Sequence, residues 1–145
     1  MATVTASADL SAAVDADGHA GTILLKTRLG GVSAVALFDT GAQTNFLAQH
    51  FVEKHALHER MKPSKHSVRY ADGSVKPARG ELTLPLELLL RTQGAQFKAD
   101  TRFIVAELQH QFDVILGIPF CRAHEPRPDW AEMTIRVLDQ RPGRN

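Results

Sequence analysis

The chain has 145 residues, 43% of them apolar and 23% charged, with a formal net charge of +1. That length suits one domain with a modest core, and the near-neutral balance excludes a strong general attraction for nucleic acid or anionic membrane. The single cysteine, Cys121, excludes an internal disulfide and a multi-cysteine zinc site. No apolar run is long enough to span a bilayer.

Residues 1–20 carry Asp9, Asp15 and Asp17 among Ala, Ser, Thr and Gly, with no basic start and no apolar core. They do not read as a secretory signal. Poor in large apolar groups, they are expected to form a flexible leader. A reducing, cytoplasmic setting is the simplest one for such a chain.

From Thr22 the pattern becomes that of strands. Ile23 to Leu29 and Val32 to Phe38 flank Gly30-Gly31, a two-residue hairpin signal. Thr44-Asn45 offers a helix N-cap, with a short helix expected over Phe46 to Leu57. Asp72-Gly73 then marks a tight turn between Val68-Arg69-Tyr70 and the run from Ser74. Leu82, Leu84, Leu86 and Leu88 recur with period two, as in a half-buried strand. Pro85 lies within that run and lacks an N–H, which calls for an edge or a bulge there. Phe97 to Val105 alternates likewise, and Phe112 to Leu116 reads as a central strand. A helical turn over Phe120 to His124 and a last strand around Met133 to Val137 follow. The expected fold is mostly β, a closed or folded sheet with short helices, over residues 21–138, with a tail at 139–145.

The chemistry centres on Asp39. The apolar run Ala36-Leu37-Phe38 delivers it into the small residues Thr40-Gly41-Ala42, so its carboxylate sits at the floor of a loop where surroundings tune its proton affinity. A second run, Asp113-Val114-Ile115-Leu116-Gly117, is a buried strand ending in glycine. Each neighbour suits a carboxylate held in a loop that a ligand can approach. Thr40 carries a hydroxyl that can brace the loop, Gly41 lets backbone approach the carboxylate, and Ala42 leaves room for an extended peptide.

These segments together resemble the proteases of gypsy-type retrotransposon gag-pol polyproteins, within the retropepsin-like aspartic proteases. Leu37 to Leu47 is similar to the family's active-site segment and Val68 to Ser74 to its flap. Asp113 to Gly117, with His124, Asp129-Trp130 and Thr134-Ile135, is similar to its C-terminal signature. The match spans roughly Leu25 to Val137. The resemblance implies a closed acid-protease β-barrel that forms a homodimer, each subunit supplying one Asp39 as half of a catalytic dyad. It implies that Thr40, Gly41 and Ala42 support the loop and that Gln43, Tyr70, Ala71, Asp72 and Gly73 meet the substrate. It also implies that Ile115, Leu116 and Gly117 pack beneath the site. No metal or organic cofactor, nucleic acid or membrane partner is implied. The chain departs from the pattern at Ile118-Pro119-Phe120, where relatives often carry Met-Asp-Trp, and at Gln43, where retroviral enzymes carry a second acid.

The expected function is an aspartic endopeptidase that processes a retroelement polyprotein. The alternatives are an inactive dimerisation or peptide-binding module of the same fold, and a cellular retropepsin with a regulatory substrate. Simpler roles are expected elsewhere. Asp113 caps or pairs at a strand start, and His50, His55 and His58 lie at the surface, lacking the i, i+4 spacing of helical metal pairs. Tyr70 is as readily a packing residue as a substrate contact, while Cys121, Trp130 and Met133 belong to the core.

Overall fold

The computed structural model describes residues 3–5, 22–70, 72–89 and 97–137. Apart from Thr3–Thr5, the expected leader lies outside the described residues, as do Ala71 of the expected flap and the expected tail. Thr3–Thr5 forms a strand (β1) within the stretch expected to be a leader.

The expected hairpin forms from β2 (Thr22–Leu29) and β3 (Val32–Asp39), paired along their whole length from Thr22↔Asp39 to Leu29↔Val32. Gly30 and Gly31 turn it with φ of 58° and 84°, the left-handed values that favour residues without a Cβ. The long leucine run becomes β7 (Gly80–Leu88), which pairs with β8 (Phe97–Ala106). No bulge interrupts the register at Pro85↔Asp100. The proline is tolerated because pairing of β7 with β2 stops at Leu29↔Leu86, leaving Pro85 with one strand neighbour, while its carbonyl accepts the Gly30 N–H at 2.9 Å.

The expected helix over Phe46 to Leu57 is shorter than its apolar spacing suggests. Phe46–Ala48 is a strand (β4), and only Gln49–Lys54 is helical (α1), with Ala48 rather than Asn45 at the cap position. All three β4 residues are buried between β8 and β9 (Val114–Leu116), so tertiary pairing outweighs local helical periodicity. A closed barrel results in the order β2-β3-β9-β4-β8-β7. β9 lies parallel to β3 and antiparallel to β4, threading between the two strands that flank the Asp39 loop.

Two small sheets complete the fold. β5 (Ser67–Arg69) pairs antiparallel with β6 (Val75–Pro77) and parallel with β1. β10 (Arg127–Asp129) pairs with β11 (Thr134–Arg136). Helix α2 (Ile118–His124) carries Pro119 in its first turn, where the missing N–H leaves no helical bond unmade. The Ile118-Pro119 departure is therefore compatible with a helix here. Phe120 fixes α2 to the barrel, meeting Phe38 and Phe97 edge-on at centroid separations of 6.4 and 5.9 Å. Two residues expected in the core differ. Trp130 is 45% exposed, whereas Met133 lies against the core with a φ of 53°.

Candidate active site

Asp39 is the last residue of β3 and is only 3% exposed. Its Oδ1 accepts the Gly41 N–H at 2.8 Å, and its carbonyl accepts the Ala42 N–H at 3.1 Å. The loop's own backbone thus helps to hold the carboxylate. Thr40, Gly41 and Gln43 are exposed around it, while Ala42 is buried. A buried carboxylate ringed by exposed small or polar groups has the layout of a reactive site opening onto solvent.

The floor is built by β9 and the turn that follows it. Leu37↔Ile115 and Phe38↔Leu116 pair directly beneath the loop. Gly117 comes next, and an added Cβ would lie 2.4 Å from the Thr44 carbonyl and 2.6 Å from the Ala42 carbonyl. No side chain fits there, so the glycine is required by close approach and not by its backbone angles. The Ile118 N–H donates to the Ala42 carbonyl at 2.9 Å, and the Gly117 N–H donates to Asn45 Oδ1 at 2.8 Å. Ile115, Leu116 and Gly117 thus lie against the Asp39 loop. Asn45, expected as a helix cap, has a different role. It is 5% exposed and binds a residue far along the chain. Its spacing after Asp-Thr-Gly is the signal that was available, and only the fold reveals its partner.

The expected flap residues form their own hairpin. The Gly73 N–H donates to the Tyr70 carbonyl at 2.9 Å and the Tyr70 N–H to the Ser74 carbonyl at 2.8 Å. Gly73 has a φ of 88° and open space around its Cβ position, so the turn needs glycine for its angles alone. Asp72 Oδ1 accepts both the Ser74 N–H at 2.8 Å and the Ser74 hydroxyl at 2.6 Å, which hold its carboxyl below the usual range. Tyr70 packs against the core, and its hydroxyl accepts the Glu107 N–H at 3.1 Å. Arg79 at 2.6 Å and Lys76 at 3.6 Å pair with the Glu107 carboxylate and hold it in its charged form. These bonds tie the hairpin to the end of β8 rather than to the Asp39 loop.

Asp113 behaves as a structural carboxylate. Its Oδ2 accepts the Val35 N–H at 2.9 Å, and its Oδ1 lies 3.8 Å from His50. His50 stacks on His110, and His55 meets Phe51 at a tilt of 51°. Cys121 is partly buried, and desolvation pushes its thiol pKa up, away from nucleophilic use.

A six-stranded closed barrel with β9 threaded beside an Asp-Thr-Gly loop is the architecture of the retropepsin-like aspartic proteases. Solved structures that share it include the following two. The retroviral protease-like domain of Ddi1 from Leishmania major aligns with a TM-score of 0.60 at 18% identity, covering 81% of this chain and 89% of that one. A retropepsin-like aspartic protease from Rickettsia conorii aligns with a TM-score of 0.53 at 18% identity, covering 81% and 86%. The profile of the PEG10/RTL1 protease domain matches residues 35–142, and the chain belongs to that family. Among the described residues, no helix is long and apolar enough to cross a membrane.

Proposed function

We propose that the chain is an aspartic endopeptidase, active as a homodimer in which Asp39 and the partner subunit's Asp39 share one site. The observation that carries this reading is the single buried Asp39 carboxylate, held by the Gly41 N–H in an otherwise exposed loop. One such loop supplies half of a two-carboxylate site. Two like charges held close cannot both ionise readily, so the pair shares a proton near neutral or mildly acidic pH. The ionised member takes a proton from water, and the water oxygen attacks the scissile carbonyl carbon. The protonated member hydrogen-bonds the carbonyl oxygen as it gains charge. That proton arrangement then reverses to protonate the leaving amine.

The substrate is an extended peptide, paired through its main chain with the Ala42–Gln43 backbone on one side and the Tyr70–Gly73 hairpin on the other. The family supports a retroelement-type polyprotein as the natural substrate, and a reducing, cytoplasmic setting suits the lone Cys121. Neither a metal nor an organic cofactor takes part in this chemistry.

The test is a peptide cleavage assay comparing the chain with Asp39→Asn. Activity is expected to vanish, because one substitution alters both members of the dyad, while thermal unfolding and sedimentation stay unchanged. Activity within a few-fold of the parent would remove Asp39 from the chemistry. A folded, dimeric parent that cleaves no peptide and ignores pepstatin-like inhibitors would favour a non-catalytic module instead.

A further inference from the structure

We infer that Asn45 is a positioning residue for the Asp39 carboxylate, acting through the Gly117 amide. The inference rests on the proteolytic reading above. Asn45 immediately precedes β4, where its carbonyl accepts the Ile104 N–H at 3.0 Å, so the barrel fixes its backbone. From that point its Oδ1 reaches back to the buried Gly117 N–H at 2.8 Å.

The next amide along, that of Ile118, donates to the Ala42 carbonyl. Two successive N–H groups of the β9–α2 turn therefore grip the Asp39 loop at two points, one before and one after Gln43. Between these points Gly117 is pressed against the Ala42 and Thr44 carbonyls too closely for a Cβ. The turn cannot rotate without moving Ala42. The Ala42 N–H in turn binds the Asp39 carbonyl, and the neighbouring Gly41 N–H holds the Asp39 carboxylate. An orphaned Gly117 N–H would turn toward another acceptor, because a buried donor left unpaired is costly. That movement passes along the loop to the Gly41 donor. An asparagine suits this task, since its amide oxygen accepts without adding a buried charge beside the dyad.

The test replaces Asn45 with Leu, of similar size but without an acceptor, and with Asp, which keeps an acceptor oxygen at the same reach. The readouts are kcat and KM on a peptide cut by the parent, and the amide NMR resonances of Gly41 and Gly117. Asn45→Leu is expected to lower kcat about 10–100-fold with KM nearly unchanged, to shift the Gly41 resonance, and to strip Gly117 of exchange protection. Asn45→Asp keeps the acceptor and is expected to restore both resonances, while the charge it adds beside the dyad shifts the pH profile of kcat. If Asn45→Leu does not fold, Asn45→Ser takes its place, because the shorter hydroxyl cannot span the distance; the same readings are expected. Unchanged kcat in Asn45→Leu, a Gly41 resonance that stays put, or an Asp variant whose resonances match those of Leu would overturn the inference. If the parent cleaves nothing, the proteolytic reading fails separately. The Gly41 and Gly117 resonances then decide alone whether Asn45 positions the Asp39 loop.

Discussion

The floor beneath the Asp39 loop and the Tyr70–Ser74 hairpin each depend on a glycine, yet the two glycines are needed for opposite reasons. Gly117 sits among backbone carbonyls that leave no room for a Cβ, whereas Gly73 faces open space and is set by a φ of 88°. The loop is bound by long-range contacts from β9, β4 and α2. The hairpin is bound mainly by its own turn, with Tyr70 as its anchor to β8. The floor therefore cannot shift without disturbing the core, whereas the turn of the hairpin is set largely by its own residues.

The largest expected effect comes from breaking the floor. Gly117→Ala places a methyl within 2.4 Å of the Thr44 carbonyl, and the backbone has to yield. Overpacking at such a point costs about 1–3 kcal/mol, so thermal unfolding and activity should fall together. An active Gly117→Ala protein of unchanged Tm would mean that the turn is less tightly held than the contacts indicate.

Breaking the hairpin turn should separate the two properties. Gly73→Val strains the turn by about 1–2 kcal/mol, but the hairpin lies outside the barrel, so Tm should move little. If closure over the peptide carries a similar loss into the transition state, kcat/KM falls about tenfold. Gly73→Asn, which tolerates a left-handed angle, should retain most activity. A Val variant with full kcat/KM would remove the hairpin from the site. One that unfolds would make it part of the framework.

A smaller and more selective effect follows from pH. His124 packs against Phe97 and Phe120, and burial lowers its pKa from the ordinary 6.5. A lowered folded value means stability that is complete above 6.5 and lost as the pH falls through the folded value. Asp72 is also lowered, from 3.8, so its bonds to Ser74 persist until the pH drops below that. Mild acid should therefore loosen the α2 side before the hairpin turn. Stability measured against pH should decline less steeply for His124→Gln, while the Ser74 amide resonance should titrate only below the ordinary carboxylate range. A Ser74 titration near 6 would contradict this order.

What the sequence made legible follows the same division between local and long-range contacts. The two hairpins at Gly30-Gly31 and Asp72-Gly73 are written in neighbouring residues, and the period-two leucines of β7 declare their buried face. β4 is different. All three of its residues are buried, so no alternation marks it, and Leu47, Phe51 and Val52 mimic a helical stripe. Only pairing with β8 and β9 decides the outcome. Asn45 was illegible for the same reason, since its partner lies 72 residues away. β1 and β10 are each three residues long, too short to carry a period. Asp39 itself was readable because the apolar run before it and the small residues after it are its immediate neighbours in the sequence.

The most direct measurement mixes the parent with Asp39→Asn at fixed total chain concentration, above the dimer dissociation constant, and allows subunits to exchange. Only parent–parent pairs hold two carboxylates if the dyad is shared between copies. An equal mixture should then keep roughly a quarter of the parent activity, from random pairing across a two-fold axis. Activity in simple proportion to the parent chains present, about half in the equal mixture, would contradict a site built from two Asp39 residues.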